Sequence, residues 1–263
     1  MMKAFQTIHF EQQDTVATIW LNRPDKHNAI DDVMIAELTA SFKEASRMDD
    51  IRVIVLRGKG KSFCAGADLN YMKGIAAYGH QENFEDGKKL ARLFDAVYSC
   101  SKPTLAVVHG AAFGGANGLL AACDIVIAEE NTTFAFSEVK IGIAPATIGP
   151  YVLKRVGEFK GKELMMTGRR FKGKAAEKAG LVNCIVPEEE LEKKVEEFTG
   201  HFMTAAPGAV KATKEMIYIA MNDKNADLSE YTADLIARLR ASEEGQEGMA
   251  AFLEKRVPFW KIG

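Results

Sequence analysis

TLAVVHGAAFGGANGLLAACDIVIAEENTTFAFSEVKIGIAP, residues 104–145, decides the fold. Thr104 to Val108 is a short apolar run of strand character, broken at Gly110. A small-residue turn holding Gly114-Gly115 leads into a helix of small and apolar residues, Ala116 to Ala122. Two further apolar runs, Asp124 to Ala128 and Thr133 to Phe136, end at Ser137-Glu138. Strand, glycine turn and helix in that order leave unpaired backbone N–H groups at a helix N-terminus. Such donors, with the helix dipole behind them, suit an oxygen that becomes negative during a reaction. Glu138 follows a strand close by, so the stretch offers an anion hole and a carboxylate together.

Upstream, residues 4 to 10 and 15 to 21 read as strands, turned by Gln12-Gln13-Asp14. Asp31 or Asp32 caps a helix that runs to about Met48, with Met34, Ile35, Leu38, Phe42 and Ala45 on one face. Ile51 to Leu56 is a strand. The following Gly60-Lys61-Ser62 is no phosphate loop, because Val55 stands where that motif needs glycine. In Phe63-Cys-Ala-Gly-Ala-Asp-Leu69 a second glycine turn opens a helix, with Asp68 as cap and Ala67 as a second source of a free N–H. Residues 69 to 80 read as polar and irregular, and Asn83 to Cys100 as an amphipathic helix.

Downstream, helices are expected at 151–156, 161–167 and 172–179, and a strand at 181–186. From Glu188 the chain reads as wholly helical, over 188–203, 207–221 and 227–254. That shift divides it into a core, 1–200, and a helical region, 201–263. The last helix carries Leu235, Ile236, Leu239, Met249, Phe252 and Leu253, enough to pack on the core or on a neighbouring subunit. Alternation of strands and helices over the first three quarters predicts a parallel sheet wound with helices, an α/β protein.

Composition narrows the function. With 263 residues, 47% hydrophobic and 27% charged, the chain is of ordinary globular character. A net charge of −2 carries no footprint for nucleic acid or an anionic membrane. Cys64, Cys100, Cys123 and Cys184 form no CxxC pair and read as free thiols, and no metal-ligand spacing occurs. The N-terminal residues lack a signal core, and no run approaches a membrane span, so the expectation is a cytoplasmic protein without metal.

Taken together, Ser62-Phe-Cys-Ala-Gly-Ala-Asp-Leu69, His109-Gly-Ala-Ala-Phe-Gly-Gly-Ala-Asn-Gly118 and Cys123-Asp-Ile125 resemble the enoyl-CoA hydratase/isomerase (crotonase) superfamily. So do Leu21-Asn-Arg-Pro24, Asn28-Ala29, Ser101-Lys-Pro-Thr104, Ser137-Glu-Val139 and Glu254-Lys-Arg256, so that the similarity spans the chain. The resemblance implies a crotonase-type ββα spiral core with a C-terminal helical trimerisation region, and a homo-trimer or hexamer. It implies acyl-CoA substrates, with coenzyme A entering as part of the substrate and no separate cofactor. The backbone N–H groups of Ala67 and Gly115 map to the family's oxyanion hole, where each donor is worth about 3–4 kcal/mol. Glu138 maps to one of the two glutamates typical of its hydratases, and Gly118 stands where the other would be. Substrate contacts map to Lys26, His27, Ala29, Ala65, Ala67, Asp68, Leu69, Gly114, Gly115 and Lys261, the last from the same or a neighbouring subunit.

Within the superfamily the sequence looks most like the bacterial methylglutaconyl-CoA hydratases of leucine metabolism. The expected reaction is hydration of a 2-enoyl-CoA with Glu138 moving the proton; the alternative is a double-bond isomerase using Glu138 alone. A non-catalytic CoA- or RNA-binding scaffold is the remaining reading. Tyr71 and Gly118 are expected at the acyl pocket, where Gly118 would leave a void able to admit a methyl branch or a substrate carboxylate. Glu138, Asn117 or the substrate itself would hold the water.

Overall fold

A computed structural model describes residues 5–261. The chain begins with an antiparallel hairpin, β1 (Ile8–Gln13) and β2 (Val16–Leu21), turned at Asp14, whose φ of 52° is one that Asp tolerates. The first strand thus starts later than the expected 4–10, and residue 4 lies outside the described residues. Then come α1 (Asp32–Ala45), β3 (Val53–Gly58), α2 (Leu69–Ile75), α3 (His80–Tyr98), β4 (Thr104–Val108), β5 (Ala111–Phe113) and α4 (Gly115–Ala122). They are followed by β6 (Ile125–Glu129), β7 (Thr133–Ala135), α5 (Gly149–Thr167), β8 (Arg170–Lys172), α6 (Gly173–Lys178) and β9 (Cys184–Val186). Helices α7 (Leu191–Thr204), α8 (Pro207–Asn222), α9 (Leu228–Ala241) and α10 (Glu243–Glu254) end the chain, and the expected division at residue 200 falls inside α7.

Six strands form the main sheet in the order β1-β2-β3-β4-β6-β9, parallel from β2 onward. A second, smaller sheet joins β5, β7 and β8. Alternate residues of the main strands face opposite sides. Ile54, Leu56, Ala106, Val108 and Val126 meet α1, α3 and α4 in the larger core. Val55, Leu105, Val107 and Ile127 meet Leu191 and Val195 of α7 on the other face. Asp31 caps α1 by accepting from the amide of Met34, and Met34, Ile35, Leu38, Phe42 and Ala45 are its buried face, as the spacing predicts.

Several segments differ from expectation. Residues 69–75 are helical, because the Asp68 carboxylate accepts from the amides of both Asn70 and Tyr71. The helices expected at 151–156 and 161–167 are continuous apart from a break at Gly157, where φ is 74°. The single helix expected over 227–254 is two, since Ser242 is extended and caps α10 by accepting from Gly245. Strands β5 and β8, three residues each, are additions that complete the smaller sheet.

All four cysteines are free; burial pushes the Cys64 and Cys123 thiols up to about 12, which leaves them inert at neutral pH. No helix among the described residues is long and apolar enough to cross a membrane.

Candidate active site

The loops after β2, β3 and β4 gather at the C-terminal ends of these parallel strands. The two glycine turns lie side by side there. Cys64 and Ala112 form a parallel bridge, in which Phe113 N donates to Cys64 O (3.1 Å) and Cys64 N to Ala111 O (3.0 Å). Ala67 and Gly115 each follow that bridge by three residues, so the pairing brings the two turns that carry them alongside each other. Gly110 makes the approach possible: a Cβ there would lie 2.1 Å from Lys61 O. Among the described residues, neither the Ala67 nor the Gly115 amide donates a hydrogen bond, and Gly115 is the first residue of α4.

Gly114 directs its neighbour's amide. Its φ of 52° and ψ of −123° belong to a backbone region that glycine enters freely and L-residues do not. Its own amide is fixed by Ala135 O at 2.9 Å. A Cβ on Gly114 would lie 3.4 Å from Glu138 Oε1, so the carboxylate sits directly against the turn.

Glu138 stands on a single 3-10 turn, Ser137–Ile141, just after β7. Its Oε2 is buried and has no hydrogen-bond partner among the described residues. Loss of water raises its pKa above the ordinary carboxylate range, opposed only by a backbone hydrogen bond within the residue itself. A carboxyl with one buried, unpartnered oxygen, set against the turn that carries the unused Gly115 amide, is equipped to pass a proton to a neighbour whose oxygen such an amide holds.

Gly118 corrects the sequence reading. It leaves no void: a Cβ there would lie 2.2 Å from Ile148 Cγ2 and 2.7 Å from Phe94 Cε1, and both side chains are fully buried. Gly118 is therefore sealed in the core and cannot line an acyl pocket. Gly118→Ala is expected to cost about 1–3 kcal/mol of stability through overpacking, read as a lower urea midpoint with an unchanged slope. Asn117 is also buried, its Nδ2 donating to Ala112 O (3.2 Å) and Ala135 O (2.8 Å), so only its unpartnered Oδ1 remains for a water.

The expected substrate contacts divide. Lys26 and His27 are exposed on the loop after β2, and His27 O accepts from Ala65 N at 2.9 Å, which brings these three together beside Ala67 and the exposed Leu69. Ala29 and Asp68 do not offer themselves. Ala29 is buried, with its amide on Lys26 O and its carbonyl on Arg23. Asp68 is buried as well, its amide spent on Ile30 O and its carboxylate on α2 and Arg23. Burial works against ionisation of Asp68, but the Asn70 and Tyr71 amides and Arg23 outweigh it and lower its pKa. Tyr71 is half-buried against the core and donates its hydroxyl to Asp86 of α3, so it forms wall rather than a free acid. Lys261 lies at the other end of the sheet: neighbouring Trp260 O accepts from Arg52, which precedes β3, and the six residues of that strand span about 20 Å. It cannot serve the site of its own chain.

Arg23 is the residue the sequence reading passed over. Its guanidinium pairs with Asp31 and Asp68, the caps of α1 and α2, each at 2.9 Å.

Comparison with known proteins agrees with this geometry. Residues 11–262 match the family model described as enoyl-CoA hydratase/isomerase. The chain belongs to this family. A Thermus thermophilus protein named as an enoyl-CoA hydratase is 34% identical over 92% of this chain and 96% of its own. The crotonyl-CoA hydratase of Syntrophomonas wolfei is 32% identical over 96% and 97%. The crystal structure of an enoyl-CoA hydratase/isomerase (crotonase) relative from Legionella pneumophila superposes with a TM-score of 0.90 at 41% identity, over 98% of this chain and 100% of that one. The architecture described above is the crotonase fold, in which β4-β5-α4 and β6-β7-α5 are successive ββα turns.

Proposed function

We propose that the protein adds water reversibly to a 2-enoyl-CoA thioester. The observation that carries this reading is the half-buried Glu138 against Gly114, its Oε2 buried without a hydrogen-bond partner, together with the unused amides of Ala67 and Gly115 on the two adjoining turns. With the thioester oxygen between those amides, ionised Glu138 takes a proton from water as its oxygen bonds to C3. The C2–C3 π electrons move to give an enolate, whose negative oxygen the two amides hold. Glu138 then returns the same proton to C2, and the enolate collapses to the 3-hydroxyacyl thioester. One carboxylate closes the cycle.

The sealed Gly118 favours a second reading, double-bond isomerisation, since that reaction needs one acid and no water. Heavy-oxygen water separates the two. Incubation with a 2-enoyl-CoA is expected to give a 3-hydroxyacyl product carrying one labelled oxygen. Conversion of a 3-enoyl-CoA to its 2-isomer with no label in any product would establish the isomerase instead.

Methylglutaconyl-CoA remains the proposed substrate on sequence resemblance alone, because the void that was to hold its branch is filled. Turnover at least tenfold faster on linear than on branched, carboxylated enoyl-CoAs would remove it. Lys26, His27, Ala65 and Leu69 are proposed to meet the CoA moiety of the substrate, with Lys261 reaching it only from a neighbouring protomer. A homo-trimer, or a pair of trimers, belongs to the same proposal: Phe252 and Leu253 of α10 are 82% and 79% exposed in the single chain and want a covering surface. Light scattering at the mass of one 28.9 kDa chain would end it.

A further inference from the structure

We propose that Arg23 is a positioning residue that fixes the Ala67 amide on the reacting oxygen. The inference rests on the enolate chemistry proposed above and adds a residue to it. A backbone donor stabilises developing charge only if it is already aimed, so the question is what holds Ala67 still. Ala67 is the bridge partner of Ile30, and both hydrogen bonds of that bridge flank it: Ile30 N donates to Gly66 O at 2.7 Å, and Asp68 N donates to Ile30 O at 2.8 Å. Ile30 is itself held from both sides by one cation. Arg23 Nη1 donates to the carbonyl of Ala29 at 2.6 Å and pairs with Asp31 at 2.9 Å, while Nη2 reaches Asp68 at 2.9 Å.

A single planar group therefore grips the residue before Ile30, the residue after it, and the residue after Ala67. The Arg23 and Asp68 side chains are only 18% and 7% exposed, so solvent screens this contact weakly. Without the cation, two carboxylates would face each other across the bridge. Among the described residues no other ion pair is made by Asp31 or Asp68. Lysine has one point of charge and no fork, so it cannot span the same three partners.

Two variants test the tether without removing the fold. Arg23→Lys keeps the charge, and Asp68→Asn keeps a helix cap of equal quality while dropping the ion pair. Each is expected to lower kcat about tenfold with KM within about twofold, the signature of a lost transition-state contact. The double variant should be no worse than the poorer single one, because both cut the same tether. Acetoacetyl-CoA supplies a readout that simple destabilisation would not move. The bound enolate absorbs in the near ultraviolet, and its apparent pKa should rise by about one unit in each variant, matching the tenfold loss.

Folded variants with wild-type kcat and wild-type enolate titration would reduce Arg23 to a structural brace. If Arg23→Lys fails to fold, Asp68→Asn decides alone. A wild-type protein that leaves the enolisation of acetoacetyl-CoA as it is in free solution would instead overturn the underlying chemistry, and the positioning role with it.

Discussion

Glu138→Gln is expected to lower kcat about a thousandfold on any substrate the protein turns over, with KM changed by less than about threefold. Glutamine keeps the shape of the side chain and removes only its ability to exchange a proton, which in general acid–base catalysis is worth about 10²–10⁴ in rate. Steady-state kinetics on purified variant checks the value, and a loss of under tenfold would show that another group moves the hydrogen. The same substitution should make the protein more stable at neutral pH. Burial raises the Glu138 pKa in the folded state above its unfolded value. Between those two values the folded state binds more protons than the unfolded one, so wild-type stability falls as pH rises through that interval. Above it the full cost of a buried charge is present, and the neutral amide of the variant avoids that cost. The variant's Tm should therefore exceed that of wild type at pH 7. The gap should close as pH is lowered into the ordinary carboxylate range, and an equal Tm at both pH values would contradict the burial argument.

Gly114→Ala should be nearly as damaging, by a different route. At φ 52° and ψ −123° the added methyl group strains the backbone whatever space surrounds it, a cost of about 1–3 kcal/mol. That methyl would meet Glu138 Oε1 at 3.4 Å, an ordinary contact, so the strain lies in the backbone. The turn can relieve it only by rotating, and rotation turns the Gly115 amide off target. Loss of one such donor costs about 10²–10³ in kcat, with substrate affinity affected far less. Activity within fivefold of wild type would mean that the Gly115 amide takes no part in holding the oxygen.

Much of this site is readable in the chain because it is local. A glycine pair before a helix announces unused amides, and Asp31 and Asp68 announce helix starts, since each cap acts within three residues of itself. The parts that mislead depend on distant partners. Nothing near Gly118 in sequence says that Phe94 of α3 and Ile148 at the start of α5 fill the space beside it. A glycine records the absence of a side chain, not the presence of a hole. The resemblance makes Asp68 a substrate contact, and the cation that occupies its carboxylate instead, Arg23, lies 45 residues away. Strands β5 and β8 escape the sequence for another reason: three residues are too few to show a two-residue period.

The filling of Gly118 also bears on how a chain of this kind can change. Giving it a second acid at that position is not one substitution but at least three, since the intruding Cγ2 methyl of Ile148 and the ring of Phe94 must retreat first. Trimming either alone opens a cavity in the core, and adding the acid alone overfills it. Every single step thus runs downhill in stability before any catalytic gain arrives. On the proposed mechanism, a lineage that has closed this gap is held to one carboxylate, and laboratory evolution toward two would have to start from a stabilised parent or move all three residues together.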